Sequence, residues 1–186
     1  VLNSRTALID AVSLWETNKT LALQVYGEIN TWDVSQVTNM YLLFSSASLF
    51  NDNINNWDVS NVTSMTYMMR FCREFNQPLN KWNTSKVISM GSLFNGNTKF
   101  NQDINTSVQV DKDGNEYIAW DVSNVMSMNG MFQDCTFNKP INNWNTSKVR
   151  DMGHMFMDSI MNQNLSQNEV VLSIGLPYTA WDVSSV

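Results

Sequence analysis

The sequence predicts an α/β solenoid, built from short parallel strands and short helices and closed at its N-terminal end by a helical cap. A Trp-Asp/Asn-Val/Thr-Ser phrase recurs six times, at intervals of 25, 25, 38, 24 and 37 residues. Around each Trp, apolar residues alternate with polar ones, and in the segment that follows, apolar residues recur every three to four positions. Such spacing indicates a stacked repeat array, because one unit of this length cannot bury its apolar face alone. The copies begin at Trp32, Trp57, Trp82, Trp120, Trp144 and Trp181.

The first 31 residues predict a helical cap. Ser4 precedes a helical pattern with its apolar residues on one face, and a second apolar stretch at 21–25 leads toward the first Trp. A stacked array needs such a cap to cover its open end. The predicted organisation is therefore a cap at 1–31 and an array at 32–186, with five complete repeats and the start of a sixth.

Each repeat opens on a predicted strand. Trp57 and Val59 alternate with polar Asp58 and Ser60, the period of a half-buried strand. The residue after each Trp then forms a line across neighbouring strands, which we call the polar row. Asp33 and Asp58 would be like charges side by side, and either backbone hydrogen bonds or a bound cation would compensate their repulsion. The polar row comprises Asp33, Asp58, Asn83, Asp121, Asn145 and Asp182.

The second half of each repeat predicts a two-turn helix. Val62, Met65 and the Met68–Met69 pair follow helical spacing, and Ser60 stands at the N-cap position. A Phe-Asn pair then recurs. We expect the Phe rings to stack in a column and the Asn side chains to bond turn backbone between repeats. The column comprises Phe50, Phe75, Phe100 and Phe137.

Two spacings are long because thirteen residues are inserted directly before the Trp. The insertion near 105–119 predicts a hairpin around an Asp111–Gly114 turn, and the one near 166–180 predicts a second hairpin. A calcium loop at 111–116 is the weaker alternative, because its Gly is fourth rather than sixth.

The insertions are the predicted partner surface, because insertions in repeat arrays commonly map to the binding face. The alternative is that the two hairpins pack on each other and bind nothing. The strand row beside them is the second candidate surface. The expected partner-binding residues are Val108, Val110, Tyr117, Val170, Val171, Ile174, Asp58, Asn83 and Asp121.

The two cysteines predict buried free thiols. Cys72 and Cys135 lie at equivalent positions two repeats apart. Strands stacked at ~4.8 Å would place their Cα atoms ~10 Å apart. A disulfide requires less than about 7 Å.

Composition and charge exclude several function classes. The net charge of −6 argues against nonspecific binding to nucleic acid or anionic membranes. The sequence has no apolar run long enough to span a membrane. His154 is the single histidine, so neither a His-based metal cluster nor a convergent catalytic set is expected. We expect no catalytic residues and no cofactor, and for metals only the weak candidates Asp33 and Asp58.

The pattern Trp-Asp-Val-Ser-x-Val-x-x-Met-x-x-Met-Phe, followed by Phe-Asn-x-x-Ile, covers about residues 29–186. It resembles the DUF285 repeat and, more broadly, the leucine-rich-repeat-like surface proteins of the BspA type. The resemblance implies a right-handed, leucine-rich-repeat-like solenoid with a surface or adhesion role and no catalytic residues. The chain departs from the repeat in its insertions and in Asn-Thr for Asp-Val after Trp82 and Trp144.

These observations together predict a non-enzymatic protein of the extracellular space, a cell surface or a virion surface. Its expected partner is a protein or glycan on a host or neighbouring surface. A structural or decoration protein of a larger surface layer is the first alternative, and a hydrolase is the second. The sequence lacks an initial Met and stops inside a repeat, so we expect a piece of a longer chain.

Overall fold

The computed structural model describes residues 2–186, so Val1 of the predicted cap lies outside the described residues. Two helices open the chain: α1 (Arg5–Thr17) and α2 (Lys19–Tyr26). The Ser4 side chain caps α1 by accepting the Ala7 N–H at 3.2 Å. Asn18 separates the helices and caps α2 in the same way. In the part of the chain described, no helix is long and apolar enough to cross a membrane.

Helix α1 packs its apolar face on the first repeat. Trp15 is buried and meets the Trp32 ring edge to face, with centroids 5.5 Å apart. Its indole Nε1 donates to Asp52 Oδ2 at 2.8 Å, and Lys19 donates to the other oxygen of that carboxylate at 2.6 Å. These contacts fasten the helices to the repeats through both apolar burial and a shared carboxylate.

The repeats contain neither the helices nor the parallel strands predicted for them. From residue 32 to the end of the described chain there is no α-helix, and the strands form two separate antiparallel hairpins. Strand β1 (Ser107–Val110) pairs with β2 (Glu116–Ala119), and β3 (Asn168–Val170) pairs with β4 (Tyr178–Ala180). Turns and loops make up most of the remainder. The predicted right-handed, leucine-rich-repeat-like α/β solenoid is therefore wrong.

A series of turns replaces the helix expected at 62–69. Met68 N–H donates to Met65 O at 3.1 Å, three residues back, whereas Met65 N–H donates to Ser89 O in the next repeat at 3.0 Å. An α-helix needs a bond to the fourth residue back at each of these positions. Tyr67 also has a left-handed backbone, with φ of 57°, which interrupts a right-handed helix. Apolar residues three apart thus fit consecutive turns as well as a helix.

The strand expected around Trp57 is absent because its backbone N–H groups are used locally. Trp57 N–H donates to Ile54 O at 3.1 Å, and Ser60 N–H donates to the Asp58 side chain at 3.0 Å. Both bonds close turns instead of extending a ladder. Isolated parallel bridges join successive repeats seven residues after the Trp, at Asn39–Ser64, Ser64–Ser89, Ser89–Ser127 and Ser127–Asp151.

Aromatic columns run through the core, as predicted for the Phe residues. Neighbouring rings of the Phe50–Phe137 column are stacked, with centroids 5.7, 5.9 and 6.0 Å apart. Trp rings of successive repeats also stack, at 6.2 or 6.3 Å in four of the pairs. These rings are buried, so they supply much of the apolar area that stabilises the array.

Polar side chains bond the backbone between repeats. Trp57 Nε1 donates to Ile29 O at 2.7 Å, and Trp120 Nε1 makes the same bond to Leu79 O at 2.8 Å. The Asn after each column Phe accepts a backbone N–H of the next repeat, as Asn51 Oδ1 does from Asn76 at 2.9 Å. The role predicted for these Asn residues is confirmed.

Both cysteines are buried free thiols. Cys72 donates to Phe44 O at 3.0 Å. Burial raises the pKa of both thiols, to about 12 at Cys135. Low thiolate content makes each of them a poor nucleophile at neutral pH.

Candidate functional site

The polar row is held by short hydrogen bonds to its own backbone. Asp58 Oδ1 accepts the Ser60 N–H at 3.0 Å, and Asn83 Oδ1 accepts the Ser85 N–H at 3.1 Å. The other four members make the same contact with the residue two positions on. The prediction that backbone hydrogen bonds occupy this row is confirmed.

The metal hypothesis for Asp33 and Asp58 gains no support from their surroundings. Asp33 Oδ1 accepts both the N–H and the hydroxyl of Ser35, which lowers the pKa of Asp33. Within residues 2–186 there is no group of three or more His, Cys, Asp or Glu side chains able to hold a metal ion.

The first hairpin folds back over the polar row of the two preceding repeats. Tyr117 in β2 donates its hydroxyl to Lys81 O at 2.8 Å, which anchors the hairpin. Between hairpin and row lies a concavity of about 690 Å³, which we call the first groove. It brings together four predicted partner residues, two from the row and two from the hairpin: Asp58, Asn83, Val110 and Tyr117.

The second hairpin repeats this arrangement two repeats later. Tyr178 in β4 donates its hydroxyl to Asn143 O. A smaller concavity of about 280 Å³, the second groove, lies beneath it and includes Asp121, Asn145 and Ile174 in its lining. The hairpins also approach each other, because a Cβ placed on Gly175 would lie 3.3 Å from Ile118 Cδ1.

Strand β2 separates the two grooves. Tyr117 lines the first groove and its neighbour Ile118 lines the second. Successive side chains of a strand point to opposite faces, so one strand forms a wall for both. The hairpins therefore contact each other while a concavity remains on each side of β2.

A backbone change at Trp120 lets the first hairpin leave and rejoin the repeat. Trp120 has a left-handed backbone, with φ of 49°, and its N–H donates to Trp82 O at 2.9 Å. The hydroxyl of buried Thr84 then donates to Asp121 O at 2.8 Å. Val at this position, as in the regular repeat, would leave that carbonyl without its donor.

The second hairpin rejoins its repeat through the same backbone change and Thr hydrogen bond, which sequence reasoning missed. Trp181 has φ of 52°, and Thr146 donates to Asp182 O at 3.0 Å. The signal was present in the sequence, because Asn-Thr replaces Asp-Val only in the two copies that precede an insertion, those of Trp82 and Trp144.

The pKa values of the groove tyrosines and of Asp111 in the hairpin turn are shifted in opposite directions. Burial raises the pKa of Tyr117, and the nearby Asp111 and Asp58 carboxylates add to this effect. Burial and Asp121 raise the pKa of Tyr178 to about 12. Both phenols are thus neutral donors at physiological pH. Asn115 donates hydrogen bonds to the Asp111 carboxylate, and these bonds lower the pKa of Asp111. The same bonds close the turn of the first hairpin.

The remaining predicted partner residues lie away from the grooves. Val170 is buried in the core, and Val108 is partly buried in β1. Val171 is 70% exposed outside both concavities. The structure therefore gathers six of the nine predicted partner residues into the two grooves.

Comparison with known proteins identifies a family. No curated protein and no solved structure matched the chain. One family model, described as "Mycoplasma protein of unknown function, DUF285", matches residues 10–116 and 112–186. These two matches cover α2, most of α1, all the repeats and both hairpins. The chain therefore belongs to the DUF285 family.

Proposed function

We propose that this protein is a non-enzymatic binding protein of an extracellular, cell or virion surface, and that its hairpin-bearing face recognises a protein or glycan partner. The observation that carries the proposal is the convergence of hairpin and polar-row residues in the two grooves. Concave sites with a few oriented polar groups are the usual form of ligand-binding sites.

Exposed apolar side chains on the hairpins support this proposal. Val110, Val171 and Leu176 are 61%, 70% and 88% exposed. A solvated loop does not need such residues, and apolar groups rimmed by polar ones are typical of interaction surfaces. The buried aromatic columns supply a rigid scaffold on which these loops are held.

The groups lining the grooves favour binding over catalysis. A catalytic site needs a nucleophile, a base and a stabilising group aimed at one point. His154 lies outside both groove linings, and the cysteines are buried thiols of raised pKa. The two groove tyrosines already donate to backbone carbonyls.

The test is binding by a variant in which both hairpins are replaced by the short link between Ile54 and Trp57. Thr84 and Thr146 are changed to Val in the same variant, because they bond the carbonyls of Asp121 and Asp182, whose backbone directly follows the insertions. The probes are a printed array of neutral and acidic oligosaccharides and a set of purified, immobilised surface glycoproteins. We expect the variant to fold and to lose the ligand that the wild-type protein binds.

A second variant separates folding from recognition. Val110→Ser, Val171→Ser and Leu176→Ser together change the exposed apolar surface without touching the core. Weaker binding by this variant with an unchanged melting temperature supports the proposal. Full binding by the hairpin-replaced variant, or hydrolysis of an array sugar by the wild-type protein, contradicts it.

A further inference from the structure

The structure contains the same set of four polar side chains twice, once under each hairpin. An Asp of the polar row, the Ser two positions after it, the Asn of the next repeat and a hairpin Tyr line both grooves. The sets are Asp58, Ser60, Asn83 and Tyr117, then Asp121, Ser123, Asn145 and Tyr178.

Local hydrogen bonds orient the first set and leave one side of each group available. Asp58 and Asn83 each use Oδ1 to accept a backbone N–H. Among residues 2–186, Asp58 Oδ2, Asn83 Nδ2 and Ser60 Oγ have no hydrogen-bond partner. The groove thus presents a carboxylate acceptor, an amide donor and a hydroxyl that can both donate and accept a hydrogen bond.

The second set has the same free atoms. Asp121 Oδ1 accepts the Ser123 N–H at 2.9 Å, and Asn145 Oδ1 accepts from Ser147. In the described chain Asp121 Oδ2, Asn145 Nδ2 and Ser123 Oγ have no partner. Two sets of the same residue types at equivalent places mean that the pattern follows from the repeat and the hairpin together.

Each tyrosine adds a fixed ring to its polar set. The Tyr117 and Tyr178 hydroxyls are tied to the carbonyls of Lys81 and Asn143, respectively. A ring held in this way loses little further freedom when a ligand packs on it. In the second groove, Ile118 and Leu172 extend the apolar wall beside the ring.

The charges of the first groove disfavour an anionic ligand. Lys81 Nζ already donates to Asn56 Oδ1 at 3.2 Å, and Lys112 lies 3.6 Å from Asp113. The unengaged carboxylate oxygen of Asp58 repels anions. A neutral ligand rich in hydroxyl groups fits an acceptor, a donor and an apolar wall placed side by side.

We propose that each groove binds one neutral sugar residue of a carbohydrate, with the Asp and Asn side chains bonding its hydroxyls and the Tyr ring packing on its C–H face. This inference rests on the proposed function and names its ligand class. Because β2 separates the grooves, the two sites act independently, and one chain binds two short oligosaccharides.

The test is calorimetric titration with neutral cello-, laminari- and chito-tetrasaccharides, and with a polygalacturonate tetramer as the acidic comparison. We expect a neutral tetrasaccharide to bind at two sites per chain and the acidic one to bind at least tenfold more weakly. Asp58→Asn and Asp121→Asn each replace the acceptor oxygen by a donor while keeping Oδ1. Each is expected to weaken one site about tenfold, since a hydrogen bond to a charged group is being lost.

The matched control is Asp33→Asn, which makes the same change in the same row where no hairpin lies above it. We expect it to bind as the wild-type protein does. Equal weakening by Asp33→Asn and Asp58→Asn overturns the inference, as does unchanged binding by the Asp58→Asn, Asp121→Asn double variant. Melting curves confirm that the variants compared are folded.

The outcome also distinguishes this inference from the proposed function. If no neutral tetrasaccharide binds, but replacing the hairpins abolishes binding of a purified glycoprotein, the carbohydrate inference fails and the proposed function stands. If replacing the hairpins changes no binding at all, the proposed function fails.

Discussion

Thr84→Val restores the regular repeat residue and yet is expected to destabilise the protein. Thr84 is fully buried, and its hydroxyl donates to Asp121 O at 2.8 Å. Val has nearly the same shape, so packing changes little, but the partly buried Asp121 carbonyl loses its donor. Leaving such a group unsatisfied costs about 1–3 kcal/mol. For a chain of this size, the melting temperature should fall by roughly 2–12 °C.

Urea denaturation of four proteins measures this effect: the wild type, Thr84→Val, the protein with the first hairpin replaced, and the combination of both changes. In the hairpin-replaced background the same substitution should be neutral or stabilising. Without the insertion, the Asp121 carbonyl is not expected to accept a hydrogen bond from the Thr84 hydroxyl. Val59→Thr provides the converse control, since it buries a hydroxyl in a repeat that precedes no insertion. A neutral Thr84→Val in the intact protein would refute the assigned role of this hydroxyl.

Three further predictions concern the core, the cap and the thiols. Phe75→Ala should lower the free energy of unfolding by about 3–5 kcal/mol, because a fully buried ring between two stacked neighbours is removed. A loss below 1 kcal/mol in urea denaturation would contradict this. Partial desolvation and then the Asp52 carboxylate raise the pKa of the exposed Glu16, against the lowering effect of Lys19, so its ionised form costs a little stability above that pKa and the cost disappears as pH falls through it. Glu16→Gln should therefore raise the melting temperature at pH 7, with the gain shrinking toward pH 4. A gain that grew on acidification would contradict the direction of this pKa shift. Cys72 and Cys135 should titrate as two thiols in unreduced, denatured protein and react slowly when folded; fewer than two would indicate a disulfide.

The sequence predicts the core better than the backbone. Phe75 and Trp82 recur at fixed spacing, and spacing alone decides which side chains coincide when repeats pack against each other. Helix and turn could not be distinguished at Met65 and Met68, because both structures bury residues three apart. The deciding partner, Ser89 O, lies in the next repeat. A local pattern holds no information about such a bond.

The candidate site was predictable in parts and not as a whole. The Asp-Gly turn identifies the first hairpin, and the residue after each Trp identifies the polar row. Whether a hairpin folds over the row or away from it depends on the Tyr117 and Trp120 contacts, which join residues 36 or more apart. The substitution to Thr84 was a readable sign of the altered backbone, but its meaning required the position of Asp121 O.

The indole bonds between repeats have a consequence for how this chain can change. Trp57 follows a short link and Trp120 follows an insertion, yet their Nε1 atoms reach equivalent carbonyls at 2.7 and 2.8 Å. Extra residues before the Trp therefore leave the register of the following repeat unchanged. Each repeat has one such position, directly before the Trp, and in this chain it holds either the short link or thirteen extra residues. The scaffold can thus exchange one recognition loop for another, by evolution or by grafting, with a single buried Val-to-Thr change in the repeat that precedes each insertion.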